Sequence, residues 1–371
     1  MSIRIGSFNI HNAGKNAAPE KLRLIGDIIR REQFDIVALQ EVFCDHSGVI
    51  TWNTCAAPLS TILRNIGGSE WKAYFAAPRQ ARTAKEGYAF IWNSKKVDLP
   101  KSLDKNGLER TYYPRIFDLN WKDHPEGEKI PMLDRNPLIG RFVFKDGQFG
   151  ELRIINTHIR FSAKPSVDSD NTKEEDLDIQ DKHLRRFEFN VLTKRVYPRF
   201  SDRVYGKDDV ASTPSNSYTI MIGDYNLSLK RKFTKSPYIT DPYTEVIELP
   251  ETRKGQHIIL QTFQYELTSL KQITEKNQDQ FERQEKYSNN YDHSTYDINR
   301  FKDIKMQTKR ILAVNKYDKS DYVHYRNKVS DHIPIVVTID TKNKDFYFIN
   351  GYKENITEMN LLEGDKNNAT T

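Results

Sequence analysis

The N-terminal segment, residues 3–39, constrains the fold more than any other part of the chain, because it alternates a strand, a helix and a second strand. Apolar residues between Ile3 and Ile10 predict the first strand, and residues 19–31 carry apolar side chains at helical spacing. The apolar run over residues 34–39, interrupted only by Asp35, predicts a second strand that is buried on both faces. The segment therefore predicts a crossover unit in an α/β protein.

The rest of the chain holds more strands than helices. Apolar runs predict strands at about residues 73–77, 88–92, 116–121, 138–144, 152–156, 219–222, 258–265 and 333–339. Helical spacing of apolar residues predicts helices at about residues 57–66 and 175–196. Many strands and few helices in mixed order are typical of stacked sheets with helices outside them. On the second helix, five basic residues are expected to form the solvent-exposed face: Lys182, Arg185, Arg186, Lys194 and Arg195.

Composition excludes several classes of protein. The chain has 371 residues, of which 37% are hydrophobic, so it can bury a large core and is not disordered throughout. It lacks both the run of about 20 apolar residues that spans a membrane and the apolar stretch of a secretory signal, so we expect a cytoplasmic protein without a membrane partner. Cys44 and Cys55 fit neither a disulfide framework nor a zinc site, and we expect free thiols. The net charge of +6 permits a polyanionic partner without requiring one.

Polar residues stand where the predicted strands end. Strands that share a sheet in parallel place such ends along one edge, so residues far apart in sequence are expected to converge there. The set contains carboxylates, histidines and amides: Asn9, Gln40-Glu41, Asn156-Thr157-His158, Gly223-Asp224-Tyr225-Asn226 and, just before the last strand, Ser330-Asp331-His332. Taken singly, each of these residues is typical of a turn, a cap or a structural hydrogen bond. Their joint occurrence predicts a functional site.

The carboxylates among them favour a hard cation. Glu41, Asp224 and Asp331 offer oxygen ligands, which suit Mg²⁺ or Ca²⁺ better than zinc. Such a cation keeps several waters and completes its shell with phosphate oxygens. Asn9 and Asn226 add amide groups that can donate to a phosphate without repelling it.

The histidines indicate proton transfer. His158 and His332 titrate near neutrality and suit both activation of a nucleophile and protonation of a leaving group. Each needs a partner that orients its ring, and Glu86 and Asp292 are available near strand starts. Together the residues predict metal-assisted cleavage of a phosphate ester.

The order of the motifs resembles the deoxyribonuclease I branch of the endonuclease/exonuclease/phosphatase superfamily. The likeness spans residues 3–340 and rests on five ordered motifs: Ser7-Phe8-Asn9-Ile10, Leu39-Gln40-Glu41-Val42, Ile155-Asn156-Thr157-His158, Ile222-Gly223-Asp224-Tyr225-Asn226 and Ser330-Asp331-His332-Ile333-Pro334. Shorter motifs agree with it: Lys85-Glu86-Gly87-Tyr88, Asp134-Arg135-Asn136-Pro137 and Asn290-Tyr291-Asp292. The resemblance implies a four-layer sandwich of two mixed β-sheets flanked by helices, over residues 1–340, with 341–371 as an extension and frayed tail.

The resemblance also implies a role for each site residue. Glu41 is the principal metal ligand, supported by Asn9 and Asp331, and the expected ion is Mg²⁺, with Mn²⁺ or Ca²⁺ as alternatives. His158 and His332 form the acid–base pair, oriented by Glu86 and Asp292 respectively. Asp224 positions or activates the attacking water, Asn226 holds the scissile phosphate, and Arg135 contacts the phosphate backbone. The implied protein is a monomeric endonuclease with DNA as its substrate.

Departures from that branch leave the substrate open. Phe43 and His11 stand where deoxyribonuclease I has arginines, and Ala84 stands where it has an aromatic residue. Lys230-Arg231-Lys232 offers other phosphate contacts, or is a solvated loop. The alternatives are a phosphodiesterase or phosphatase acting on RNA, a small phosphorylated molecule or a phospholipid head group, and an inactive binding protein of the same fold.

Overall fold

The computed structural model describes most of the chain: residues 2–45, 47–54, 58–78, 86–103, 106–117, 133–145, 150–159, 184–203, 205, 217–227, 246–248, 257–263, 266–274, 276, 286–317 and 321–340. Cys55, Ala84, the basic run 230–232, Lys182 and the segment 341–371 lie outside the described residues. No helix in the described ranges is long and apolar enough to cross a lipid bilayer.

The described residues form strands β1 to β17 and helices α1 to α6. The strands are β1 Ser2–Ala13, β2 Ile36–Phe43, β3 Gly48–Ile50, β4 Trp71–Ala76, β5 Glu86–Asn93, β6 Val97–Asp98, β7 Lys101–Leu103, β8 Glu109–Thr111, β9 Arg115–Ile116, β10 Leu138–Phe144, β11 Glu151–His158, β12 Ser217–Asp224, β13 Val246–Glu248, β14 Ile259–Phe263, β15 Asp292–Asp297, β16 Lys305–Arg310 and β17 Ile335–Asp340. The helices are α1 Pro19–Arg31, α2 Pro58–Ile66, α3 over 184–191, α4 Tyr197–Ser201, α5 Ala313–Tyr317 and α6 Tyr322–Lys328, with a π-helical turn Leu192–Val196 joining α3 to α4.

Two large mixed sheets carry the fold. The first has the strand order β16-β17-β1-β2-β5-β4-β3, and the second has the order β13-β14-β15-β12-β11-β10-β6, with β9 also paired to β10. Strands β1 and β2 are parallel and are joined by α1, which confirms the predicted crossover unit. Strands β11 and β12 form a second parallel pair, so the ends of all four strands reach one edge of the sandwich.

The core has three parts that separate four layers. Residues of both sheets pack between them, including Ile5, Phe90, Phe142 and Ile220. Helices α1, α2, α5 and α6 cover the outer face of the first sheet, and the π-helical turn and α4 cover that of the second. The predicted four-layer sandwich is confirmed.

Helix α1 shows how sequence sets this layering. Proline at its first position and basic residues in its last turn suit the two ends of a helix. Its apolar stripe is fully buried against the first sheet, at Leu22, Ile25, Ile28 and Ile29. Burying such a stripe stabilises a helix of this length more than its intrinsic propensity does.

Two predictions about individual elements need correction. Arg185, expected on a solvent-exposed helix face, is buried, because its guanidinium group donates to the backbone oxygen of Asn226. Strand β15 was not predicted, because its residues Asp292 to Asp297 are polar except for one tyrosine. Its hydroxyl groups are satisfied inside the sandwich: Thr295 bonds to Thr262, and the two hydroxyl oxygens lie 2.8 Å apart.

Backbone irregularities aim side chains at the edge where the strands end. The pairing of β2 with both neighbours shifts register beside Glu41, which has a φ of 57°, and His11 and Asn12 opposite it also have positive φ. Bulges of this kind re-aim side chains and are frequent beside functional sites. On β12, a Cβ added to Gly223 would lie 1.8 Å from the backbone oxygen of Thr157, so only glycine permits the close approach of β11 there.

Candidate active site

Asp224, the last residue of β12, lies at the centre of the site. Its Oδ2 accepts a hydrogen bond of 3.0 Å from Asn9 Nδ2 and lies 3.6 Å from His158 Nε2 and 3.5 Å from His332 Nε2. Its Oδ1 accepts from the backbone N–H of Asn226 at 2.8 Å. Burial raises the pKa of this carboxyl group, against the opposing effect of the two histidines.

His158 ends β11 and is held by a carboxylate of the first sheet. Its Nδ1 donates to Glu86 Oε1 at 2.8 Å, and Arg135 Nη2 donates to Glu86 Oε2 at 2.8 Å. Burial acts to lower the pKa of His158, but the hydrogen bond to Glu86 and the nearby carboxylates outweigh it and raise that pKa. The second nitrogen, Nε2, therefore faces Asp224 with the ring orientation fixed.

His332 is held in the same way from the opposite side. Its Nδ1 donates to Asp292 Oδ2 at 2.8 Å, and its backbone N–H donates to Ser330 Oγ. Burial opposes protonation, yet the charges of Asp292 and Asp224 raise the pKa of His332 well above its usual value. Two imidazoles, each with its own carboxylate, thus present Nε2 to the same oxygen of Asp224.

Glu41 lies at the bulge between β1 and β2. Its Oε1 accepts from Asn9 Nδ2 and its Oε2 from the backbone N–H of Asn12, both at 2.9 Å. Asn9 thereby bridges Glu41 and Asp224, while its amide oxygen accepts from the backbone N–H of His11. With Glu41 in a left-handed conformation, its carboxylate lies 3.9 Å from His158 Nε2.

Asp331 carries a group of basic side chains that the sequence did not indicate. His11 Nδ1 lies 2.7 Å from Asp331 Oδ1, and Arg326 Nη2 lies 3.8 Å from Oδ2. Burial alone would raise the pKa of Asp331, but the hydrogen bond from His11 and the positive charges hold it well below its usual value. Lys21 Nζ donates to the backbone oxygen of His11, and its charge interacts with Asp331 and Glu41.

Asn226 follows β12 with a φ of 49°. Its Nδ2 donates to the backbone oxygen of Ile159, and its own backbone oxygen accepts from Arg185 Nη1, both at 2.8 Å. These two hydrogen bonds hold the loop after Asp224 in place. The bond to Ile159 uses one of the two hydrogens of the Asn226 side-chain amide. Arg185, which the sequence placed in solvent, donates the other of these bonds.

A pair of amide side chains ties the two sheets together beneath the site. Gln40 Nε2 on β2 donates to Asn156 Oδ1 on β11 at 2.7 Å. Asn156 Nδ2 donates back to the backbone oxygens of Leu39 and Ala89. Glu41 is the next residue after Gln40, and His158 lies two residues after Asn156. The link between the two amides therefore holds Glu41 of the first sheet in place relative to His158 of the second sheet.

The exposure of the carboxylates decides where a hydrated cation can enter. The side chains of Glu41 and Asp331 are 18% and 25% exposed, whereas that of Asp224 is 1% exposed. Asp224, Asp292 and His332 also bring ligand atoms within 4.8 Å of one another. In that buried group, however, His332 lies beside both carboxylates, and the charge of a protonated imidazole balances part of theirs. The oxygen donors at Glu41 and Asp331 fit a hard divalent cation better.

The ten predicted site residues form one connected cluster, which agrees with the expectation that the strand ends converge. A hydrogen-bonded chain runs from Arg135 through Glu86 to His158, and a second runs from Glu41 through Asn9 to Asp224. The cluster has two oriented imidazoles, the central carboxylate of Asp224 and two partly exposed acids, Glu41 and Asp331. Such a set of side chains is suited to metal-assisted proton transfer at an ester. Their individual roles stay predictions.

Comparison with known structures gives similar chains of low identity. An endonuclease/exonuclease/phosphatase from Bacteroides vulgatus is 12% identical, with a TM-score of 0.49 over 92% of this chain and 99% of that chain. A humanised TDP2 from D. rerio is 13% identical, with a TM-score of 0.48 over 91% and 99%. D. rerio TDP2 complexed with single-strand DNA product is 13% identical, with a TM-score of 0.46 over the same shares. No curated protein matches the sequence significantly.

The family assignment rests on the sequence itself. The model of the Endonuclease/Exonuclease/phosphatase family matches residues 6–238, which hold the motifs of Asn9, Glu41, His158 and Asp224. Enzymes of this family hydrolyse phosphate esters and generally depend on a divalent metal. The chain belongs to the Endonuclease/Exonuclease/phosphatase family.

Proposed function

We propose that the protein is a metal-dependent endonuclease that hydrolyses phosphodiester bonds in DNA by attack of an activated water. The observation that carries this proposal is the placement of the two Nε2 atoms, of His158 and His332, at 3.6 and 3.5 Å from Asp224 Oδ2. These distances are too long for good hydrogen bonds, so both nitrogens are available to a substrate.

Each residue then has a role that its contacts support. Asp224 orients the attacking water and accepts its proton, since burial already raises the pKa of its carboxyl group. The two histidines, protonated through Glu86 and Asp292, donate to phosphate oxygens and to the leaving oxygen. Breaking the P–O bond leaves an alkoxide, which the imidazolium proton neutralises.

Glu41, with Asp331 and Asn9, would hold the cation, which we propose to be Mg²⁺; Mn²⁺ and Ca²⁺ suit the same oxygen donors. When bound, the cation neutralises charge on the phosphate oxygens. Asn9 Nδ2 already donates to Glu41, so in this structure the asparagine orients the carboxylate.

Arg135 and Asn226 have the roles of binding the substrate phosphate. Arg135 uses Nη2 for Glu86, while its Nη1 is buried and has no hydrogen-bond partner among the described residues. A guanidinium group with one free edge beside a catalytic histidine is suited to a phosphate oxygen. Asn226 retains one amide hydrogen after its bond to Ile159.

A second candidate keeps the chemistry and changes the substrate to RNA, a small phosphorylated molecule or a phospholipid head group. It is favoured by His11, which binds Asp331 with its Nδ1 and stands where the deoxyribonuclease I branch has an arginine that grips the duplex. A panel of DNA, RNA, nucleotides and phospholipids separates the two candidates.

The test is cleavage of plasmid DNA by the purified protein with Mg²⁺. We expect nicking that EDTA abolishes and that a His158→Ala variant loses by at least about a hundredfold. Failure of the folded protein to cleave any DNA would reject the endonuclease, and cleavage of another ester in the panel would support the second candidate.

A further inference from the structure

The proposed chemistry leaves a set of basic groups around Asp331 unused. His11 comes from the bulge that ends β1, Lys21 from the first turns of α1, and Arg326 from the last turn of α6. All three act on the carboxylate of Asp331. Three separate elements thus bring basic side chains to one flank of the site.

Pairing with Asp331 uses only one hydrogen-bond donor of this set, Nδ1 of His11. Arg326 Nη2 is 3.8 Å from Asp331 Oδ2, which is an ion pair and not a hydrogen bond, and Arg326 Nε is buried without a partner among the described residues. Lys21 Nζ donates one of its three hydrogens to the backbone oxygen of His11. His11 is 44% exposed at its side chain, and its Nδ1 alone serves Asp331.

The basic residues around Asp331 (His11, Lys21 and Arg326) and Arg135 interact with different carboxylates of the site. Arg135 lies beside Glu86 and His158, on one side of Asp224, and its spare Nη1 is described above. Lys21 and Arg326 interact with Asp331, which lies on the side of the bulge between β1 and β2. Cations therefore lie beside two different carboxylates of the site, Glu86 and Asp331.

We propose that Lys21 and Arg326, with His11 at their edge, form a binding subsite for a second phosphate group of the substrate, adjacent to the phosphate that is cleaved. The inference rests on the proposed function and names the class of substrate more narrowly: an ester that carries a second phosphate beside the one that is cleaved. Lysine supplies a flexible point charge and arginine a fixed fork, a combination suited to a tetrahedral anion. The second phosphate belongs either to the next link of a nucleic-acid strand or to a terminal monoester.

The experiment compares a substrate that has one phosphate with two substrates that carry a second phosphate. Thymidine 5′-(p-nitrophenyl phosphate) has a single phosphodiester, its 3′-phosphorylated form adds a terminal phosphate, and trithymidylate adds a strand phosphate. The values of kcat/KM are measured with Mg²⁺ for the wild type, Lys21→Met and Arg326→Met. Lys305→Met is the matched control, because Lys305 is exposed on β16 opposite Asp340, at the other end of the first sheet.

We expect the ratio of kcat/KM for a two-phosphate substrate to that for the single diester to fall about tenfold in Lys21→Met and in Arg326→Met, and to stay at the wild-type value in Lys305→Met. The substrate whose ratio falls, terminal phosphate or trithymidylate, identifies the source of the second phosphate. Equilibrium binding of trithymidylate in a His158→Ala background should weaken by a similar factor in both variants.

A purely structural role for the two cations gives a different result. Loss of support for Asp331 would lower kcat/KM for every substrate equally, so an unchanged ratio in both variants overturns the subsite. If the wild type neither hydrolyses any of the three substrates nor nicks plasmid DNA, the proposed function fails instead. If it nicks plasmid DNA but hydrolyses none of the three, equal binding of trithymidylate in the His158→Ala background with and without the two substitutions overturns the subsite, so the two failures are distinguishable.

Discussion

At the scale of single residues, the site depends on what each carboxylate does to its histidine. Glu86 and Asp292 are each 2.8 Å from the Nδ1 of one imidazole, and each raises the pKa of its partner against the effect of burial. The protonated form of each ring therefore persists to higher pH than in solution.

Replacing one carboxylate should affect one histidine only. In Glu86→Gln we expect the pKa of His158 to fall, because burial then acts unopposed by that charge, while His332 keeps its raised pKa; Asp292→Asn should do the reverse. With rising pH, the rate of a step that needs protonated His158 would then decline at a lower pH than it does in the wild type. NMR titration of the metal-free protein measures both pKa values, and equal shifts of both rings in either variant would contradict the pairing.

Metal binding is also decided by single residues. We expect Glu41→Gln and Asp331→Asn to weaken Mg²⁺ binding by about tenfold or more, because each removes one negative charge from the accessible pair of carboxylates. Asp292→Asn should weaken it less, since Asp292 is fully buried behind His332. Calorimetry measures the three affinities. The reverse order would move the ion to the buried group of Asp224, Asp292 and His332.

At the scale of elements, apolar patterns in the sequence predict the apolar strands but not a strand made of polar residues. Strands β1, β2, β11 and β12 are apolar runs, so they and the polar residues at their ends could be predicted. Strand β15 could not, because its hydroxyl groups bond to other strands, as Ser294 does to Thr308. The burial of Arg185 and the approach of His11 to Asp331 depend on contacts between distant segments, for which a single sequence carries no signal.

The link between the sheets belongs to this scale. In Asn156→Leu we expect the free energy of unfolding to fall by about 2 kcal/mol, because Gln40 Nε2 loses its 2.7 Å acceptor in the core, and kcat to fall as well. Tyr197→Phe removes a buried hydrogen bond to the backbone oxygen of Thr219, behind the second sheet. It should lower stability without lowering kcat. Denaturant unfolding and initial rates test this, and an equal loss of kcat in both variants would argue against a positioning role.

The pairing of β11 with β12 requires glycine at one position. In Gly223→Ala we expect the free energy of unfolding to fall by more than about 3 kcal/mol, because the new Cβ would meet the backbone oxygen of Thr157 at 1.8 Å. Gly107→Ala is the control, since Gly107 also has a positive φ but open space around it, and it should cost about 1 kcal/mol. Urea unfolding compares them, and similar losses would show that strain in φ alone accounts for the effect.

At the scale of the whole molecule, two sheets of different topology meet at one edge to assemble the site. Asn9, Glu41 and Glu86 come from the first sheet, and His158 and Asp224 come from the second. Neither sheet holds a complete set, so the candidate site exists only in the assembled sandwich. The net charge of +6 matters less than its placement, because basic side chains lie beside carboxylates of the site: Arg135 beside Glu86, and Arg326 beside Asp331.

The central claim is that His158 and His332 act as one unit around Asp224 in the hydrolysis of phosphodiesters. The most direct measurement is single-turnover DNA cleavage with Mg²⁺ by the wild type, His158→Ala, His332→Ala and the double variant. The account predicts that each single change costs at least about a hundredfold and that the double variant is hardly worse than the poorer single one. Wild-type rates in both folded single variants would contradict it.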